Sequence, residues 1–182
     1  RGKHLVEARY GCTACHGPNF GGGEMMKAPP VATILGPNIT AGKGGRTAAY
    51  TMADWDRIVR HGIKPDGRPA VMPSEDFLLM SDQELSDVVA FLRSQPTVDA
   101  EVERPTFGPI GRMLVATGKF PLSAANITDH QHTHTHTHTH THTALPPAAE
   151  PTAAFGKHLA GICSGCHRAD FRGGPITFGP PD

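Results

Sequence analysis

The chain of 182 residues is poor in several things at once, and each shortage removes a class of function. Seventeen Lys and Arg balance seventeen Asp and Glu, so the formal net charge is zero. A neutral chain gives no support to nucleic-acid binding through a basic surface. No apolar run approaches the roughly 20 residues that span a bilayer, which excludes a transmembrane helix within this sequence. One Trp, two Tyr and eight Phe stand against 21 Gly and 17 Pro, so protein atoms alone would make a thin core at this size. Cysteine is limited to four. A disulfide scaffold is small and cysteine-dense, and this chain is neither.

All four cysteines fall in two copies of one pentapeptide, Cys12-Thr13-Ala14-Cys15-His16 and Cys163-Ser164-Gly165-Cys166-His167. Cys-x-x-Cys-His is the attachment pattern of c-type haem. Two thiols are placed to form thioethers with one porphyrin, and the following histidine reaches the iron from the same side. His16 and His167 are therefore candidate proximal ligands, and two haem c groups are expected on a complete chain. A four-thiolate zinc ribbon would bring its knuckles closer together and would not need a histidine after each. A thioredoxin-like redox pair leaves the duplication unexplained. Haem also supplies the apolar mass that the composition lacks.

The context of the motif is duplicated as well. Gly2-Lys3-His4-Leu5 precedes the first copy and Gly156-Lys157-His158-Leu159 the second. After each motif Phe20 matches Phe171, Gly22-Gly23 matches Gly173-Gly174, and Leu35-Gly36-Pro37 resembles Phe178-Gly179-Pro180. Such a repeat implies two like domains in tandem. The first residue is Arg1, and haem attachment of this kind goes with export in bacteria, so a missing N-terminus and a periplasmic setting are expected.

The first domain reads as short helices joined by long loops. A helix from about Lys3 to Tyr10, with Leu5 and Ala8 on one side, leads into the attachment site. Residues Gly17 to Gly45 are too rich in breakers for regular structure. A second helix is expected from about Met52 to His61, with Thr51 as N-cap, Trp55, Ile58 and Val59 on one face and Gly62 as its stop. A third follows the capping box Ser81-Asp82-Gln83-Glu84, with Leu85, Val88, Val89 and Leu92 apolar and Met80 stapled to Leu85. Between these helices lies Met72-Pro73, where a single-haem cytochrome c domain places its sixth ligand, and Met72 is the candidate. Met80 is the main competitor, ahead of Met25, Met26 and Met52.

These features resemble the tandem cytochrome c subunits of bacterial periplasmic or membrane-bound dehydrogenases. The resemblance rests on the two haem motifs, Gly36-Pro37-Asn38-Ile39-Thr40, Trp55 with Arg57 to Arg60, His61-Gly62-Ile63-Lys64-Pro65-Asp66-Gly67-Arg68, Met72-Pro73, Met80-Ser81-Asp82-Gln83-Glu84-Leu85 and Phe91-Leu92-Arg93-Ser94. It implies an all-α, class I cytochrome c domain over residues 1–97, a linker over 98–151 and the N-terminal part of a second cytochrome c domain over 152–182. It also implies that Asn38, Trp55 or a nearby arginine hydrogen-bonds haem propionates, with a plain loop or core role as the alternative. The function implied is a relay of single electrons from a dehydrogenase catalytic subunit to a downstream cytochrome or oxidase, without substrate chemistry of its own. Periplasmic location follows, with membrane association left open.

The second copy departs from the pattern. The chain stops fifteen residues past His167, and no methionine follows it. The expectation is a fragment, with the sixth ligand of the second haem unassigned. That vacancy leaves a rival, a di-haem peroxidase with one open iron. In the linker, Gly108 to Ala116 is apolar enough for a short helix docked on the first domain. Beyond it His130 is followed by His132, His134, His136, His138, His140 and His142 alternating with threonine. Such tracts can bind zinc, copper or nickel, which suggests a metal scavenger as a second rival. A repeat expansion in a tolerant linker is the plainer reading.

Overall fold

The computed structural model describes residues 1–120, 122–127, 142–168 and 170–173. The chain forms two compact units, Arg1–Met52 with Ser86–Phe120, and Ala53–Leu85 with Pro121–Asp182.

The first unit opens with α1 (Gly2–His4), which continues as a π-helical turn over Leu5–Arg9. The expected helix is present, but its buried face differs. Tyr10 N–H donates to the Leu5 carbonyl at 2.8 Å, five residues back. The wider turn brings Leu5, Val6 and Tyr10 inward and leaves Ala8 exposed. Helix α2 (Cys12–His16) follows.

The glycine- and proline-rich segment is more regular than its composition suggests. Strands β1 (Gly23–Ala28) and β2 (Ala32–Gly36) form an antiparallel hairpin, and β3 (Thr106–Phe107) adds to β2. The all-α expectation is modified: helices are the chief regular elements among the described residues, and a small three-stranded sheet stands beside them. Pro29 and Pro30 fall in the hairpin turn, where no ladder donor is required. Ala32, Ile34 and Gly36 alternate inward along β2 as a half-buried strand demands. A bulge between Glu24 and Met26 absorbs the extra residue.

Helix α3 is Met52–His61 and α4 is Asp82–Arg93, both as expected, and each passes from one unit to the other. Within the first unit, Val88, Val89 and Leu92 of α4 are buried. A Cβ on Gly2 would lie 2.1 Å from the Asp87 carbonyl oxygen and 2.7 Å from the Phe91 Cβ, so only glycine permits this approach. Residues 98–102 are hydrogen-bonded into the same unit. The Asn38 amide donates to the Val98 and Ala100 carbonyls at 2.7 and 3.2 Å, and Arg46 Nη2 to the Val102 carbonyl at 2.8 Å. Helix α5 (Pro109–Ala116), with Pro at its first position, matches the short apolar helix expected there. It packs on the hairpin turn so tightly that a Cβ on Gly111 would meet the Val31 carbonyl.

In the second unit a buried Arg60 joins the end of α3 to the start of α4. Its guanidinium holds Asp56 Oδ1 at 2.6 Å, Asp82 Oδ1 at 2.9 Å and the Met80 carbonyl at 3.0 Å. A buried charge is tolerable only when paired in this way. The capping box forms as read: Glu84 N–H donates to Ser81 Oγ at 3.2 Å, and Ser81 N–H donates to Glu84 Oε2 at 3.0 Å. Asp82 and Gln83 N–H donate to the carbonyls of Thr143 and Ala144, at 3.0 and 3.1 Å. The first turn of α4 is thus capped partly by chain that follows the Thr-His run. Met80 and Leu85 are both buried, in keeping with the staple. Helices α6 (Ser123–Asn126), α7 (Ala153–Ala160) and α8 (Ser164–His167) complete the described part of this unit.

Candidate functional site

Cys12, Cys15 and His16 come from a single helical turn. Residues three and four apart share a helix face, so α2 turns both thiols and the imidazole the same way. Gly11 at φ 59° and Gly17 at φ 77° bend the chain into and out of this turn. The backbone of Cys15 rests directly on the hairpin: a Cβ on Gly36 would lie 1.9 Å from the Cys15 carbonyl oxygen, and one on Gly23 2.8 Å from it.

The orientation of His16 is set by Pro37. Its Nδ1 lies 2.9 Å from the Pro37 carbonyl oxygen, which can only accept, so Nδ1 carries the proton. The lone pair is left on Nε2, the arrangement in which a backbone carbonyl aims a metal-ligating histidine. Burial pushes the His16 pKa down, against a smaller opposing effect of the Pro37 bond, and keeps the imidazole neutral. Burial also pushes Cys12 up to about 11 and raises Cys15, so both are thiols, and neither is in a disulfide. The Pro37 carbonyl has no signature of its own in sequence. Its signal was the repeated Gly-Pro of Gly36-Pro37 and Gly179-Pro180, the second of which lies outside the described residues.

Met72 belongs to the second unit. It is half-buried and leads through Pro73 into a 3-10 turn, Ser74–Phe77. Ser123 Oγ donates to the Met72 carbonyl and accepts from Ser74 N–H at 3.1 Å, which fixes the backbone of this loop. Met80 is consumed by the core at 2% exposure, while Met25, Met52 and Met113 are exposed. Four residues after Met72, burial next to Glu75 pushes Asp76 up to about 6.

The second motif has the same local backbone on a barer surface. Gly22 N–H donates to the His16 carbonyl at 2.9 Å, and Gly173 N–H to the His167 carbonyl at 3.0 Å. Phe20 and Phe171 both have positive φ, 61° and 56°. Cys163, Cys166 and His167 are nevertheless exposed, whereas Cys12, Cys15 and His16 are half-buried.

A third grouping was not foreseen. Asp56, His61 and His142 in the second unit bring a carboxylate oxygen and two ring nitrogens within 4.8 Å of one another. His142 is the last histidine of the Thr-His run; the earlier ones, His130 to His140, lie outside the described residues. Burial, together with the Arg60 charge, pushes the His142 pKa down to about 4.

The family model for cytochrome c matches residues 1–96. The chain belongs to the cytochrome c family. Among its relatives is the cytochrome c subunit of a quinone alcohol dehydrogenase from Gluconacetobacter polyoxogenes, 28% identical over 91% of this chain and 35% of that protein. The gluconate 2-dehydrogenase cytochrome c subunit of Pantoea cypripedii is 29% identical over 92% of this chain and 37% of its own length. A fructose dehydrogenase cytochrome subunit from Gluconobacter japonicus is 28% identical over half of the chain and 20% of that subunit. The chain spans about a third of the length of the first two. These names give no support to the peroxidase reading.

A cytochrome c domain carries haem c, and the residues present fit that group: two thiols without a disulfide, and an imidazole held by its far nitrogen. The expectation for Asn38 resolves toward its structural alternative. Its side chain is fully buried, donates to three carbonyls and accepts from Thr40, so it clamps the 38–46 loop rather than facing a propionate. Arg60 is likewise committed to Asp56 and Asp82. Among the described residues no helix is long and apolar enough to cross a membrane.

Proposed function

We propose that this chain is part of a periplasmic electron carrier that relays single electrons through two covalently attached haem c groups. Its donor is the catalytic subunit of a dehydrogenase and its acceptor a downstream cytochrome or oxidase. The observation that carries this reading is the His16 Nδ1 bond to the Pro37 carbonyl on a helix that also bears Cys12 and Cys15. Bound haem c supplies the one-electron iron couple.

In this reading Cys12 and Cys15 anchor the first porphyrin as thioethers, His16 is the proximal ligand and Met72 supplies the sixth. The Pro37 carbonyl stops the imidazole from turning, and a thioether ligand favours the ferrous form. Cys163, Cys166 and His167 take the same roles at the second haem. The domains run over 1–97 and from 152 onward, with 98–151 between them. The names of the relatives, each the cytochrome subunit of a dehydrogenase, support the partner class.

Haem staining on a denaturing gel with intact-mass measurement tests the attachment. Two covalent haems per chain are expected; free thiols or bound zinc at the four cysteines would overturn it. Met72→Ala should abolish the weak near-infrared sulfur-to-iron band of the ferric protein and lower its reduction potential. Loss of that band in Met80→Ala instead would move the ligand to Met80.

A further inference from the structure

The Thr-His run ends on a residue whose position is not that of a loose linker. Thr143 and Ala144 cap the first turn of α4 through their carbonyls, and this fixes the backbone immediately after His142. The ring is fixed too: His142 Nδ1 lies 3.1 Å from the Leu78 carbonyl oxygen, so Nδ1 donates and Nε2 carries the lone pair. That lone pair accepts from His61 Nε2–H at 3.4 Å, and this is the proton that a bound ion would displace. His61 is the last residue of α3, and Asp56 lies on the same helix.

We propose that Asp56, His61 and His142 form a binding site for one divalent metal ion of the zinc class. The spacing has a quantitative rationale. Two imidazole nitrogens bound to Zn2+ at about 2.0–2.1 Å with a tetrahedral angle lie about 3.3–3.4 Å apart, and the two Nε2 atoms are 3.4 Å apart before any ion is added. Backbone donation from Nδ1 is the way protein frameworks orient ligating histidines. Two imidazoles and one carboxylate suit zinc, nickel or copper better than calcium or magnesium, which prefer oxygen.

Charge is balanced for a cation despite the neighbouring guanidinium. Arg60 holds Asp56 by Oδ1 and is itself shared with Asp82, so two carboxylates face one arginine. Asp56 still offers a carboxylate oxygen within 4.8 Å of both ring nitrogens. Three protein donors leave a fourth position for water. The site thus gives the last histidine of the run, His142, a role that composition alone does not assign.

The run itself is the main confounder, so the test removes it. In the haem-loaded chain with His130, His132, His134, His136, His138 and His140 all replaced by serine, calorimetric titration with Zn2+ should show one ion per chain. His142→Ala and, separately, His61→Ala should each weaken that binding by at least about 100-fold. The haem absorbance spectrum reports whether each variant is folded, and it tests the electron-carrier reading independently of the metal. Should His61→Ala fail to fold, half-buried His142 still decides. X-ray absorption at the zinc edge should find two imidazole nitrogens. No saturable binding, binding that survives His142→Ala, or fewer than two imidazoles would overturn the site.

Discussion

Gly2-Lys3-His4-Leu5 and Gly156-Lys157-His158-Leu159 are the same tetrapeptide, each leading into a Cys-x-x-Cys-His motif, yet they bury different residues. In the first copy Leu5 is 4% exposed and His4 lies in solvent. In the second, His158 is 7% exposed and Leu159 is 43% exposed. The partner of each copy explains the reversal. Gly2 lies against the Asp87 carbonyl and the Phe91 Cβ of α4, whereas among the described residues nothing lies within 4 Å of a Cβ built on Gly156. His158 Nε2 instead meets Glu84 Oε1 at 3.0 Å, on the same glutamate that closes the capping box. A repeated sequence therefore fixes the helix and the motif that follows it, but not which side of the helix becomes core.

The largest effect should come from the histidines. His158→Ala removes a partner from a buried carboxylate and should cost about 3 kcal/mol in chemical denaturation. His4→Ala, at an exposed position, should stay within about 0.5 kcal/mol. Equal effects would mean that the two copies are packed alike. The glycines come next and should differ in sign. Gly2→Ala drives a Cβ into backbone and should cost about 2 kcal/mol. Gly156→Ala, in open space inside α7, should gain about 0.5–1 kcal/mol. Melting curves of the pair decide between them.

A gain of similar size is expected just past the second motif. Gly17 and Arg168 occupy equivalent positions with φ 77°, ψ 163° and φ 63°, ψ 168°, a region that is essentially restricted to glycine. Arg168→Gly should stabilise the second copy by about 1 kcal/mol, while Gly17→Ala, whose Cβ would lie 2.5 Å from the Gly22 carbonyl oxygen, should destabilise the first. The smallest effect is electrostatic and belongs to the Met72 loop. Burial raises Asp76 from 3.8 to about 6. Between those values the folded chain holds a proton that the unfolded chain has released, so the contribution of Asp76 to stability is fully present below about pH 4 and is lost as pH rises through 6. Asp76→Asn should remove that decline from the pH profile of the melting temperature; an unchanged profile would place the titration elsewhere.

Local signals were the legible ones. The Ser81-x-x-Glu84 box forms as read because both partners lie within one turn. Helix α3 stops at Gly62, whose φ is 66°, because a left-handed residue ends a helix wherever it sits. Less local features were not legible. The β1–β2 hairpin was hidden by Pro29-Pro30 and its flanking glycines, which mark breaks in a pattern without saying that the break is a two-sided turn. The Pro37 carbonyl that orients His16 is a backbone atom shared by every residue type. His142 differs from the other histidines of its run only in being next to the residues that cap α4.

Sequence alone determined what depends on short spacing: two thiols and an imidazole three and four residues apart, stated twice, because residues at that spacing share a helix face. It also determined the caps and stops of α3 and α4, whose hydrogen bonds close within a few residues. Tertiary structure decided which face of each repeated helix is buried, that Asn38 is a clamp, and that Asp56, His61 and His142 meet. Those outcomes depend on groups tens of residues apart, and on backbone carbonyls and steric gaps that side-chain identity does not encode.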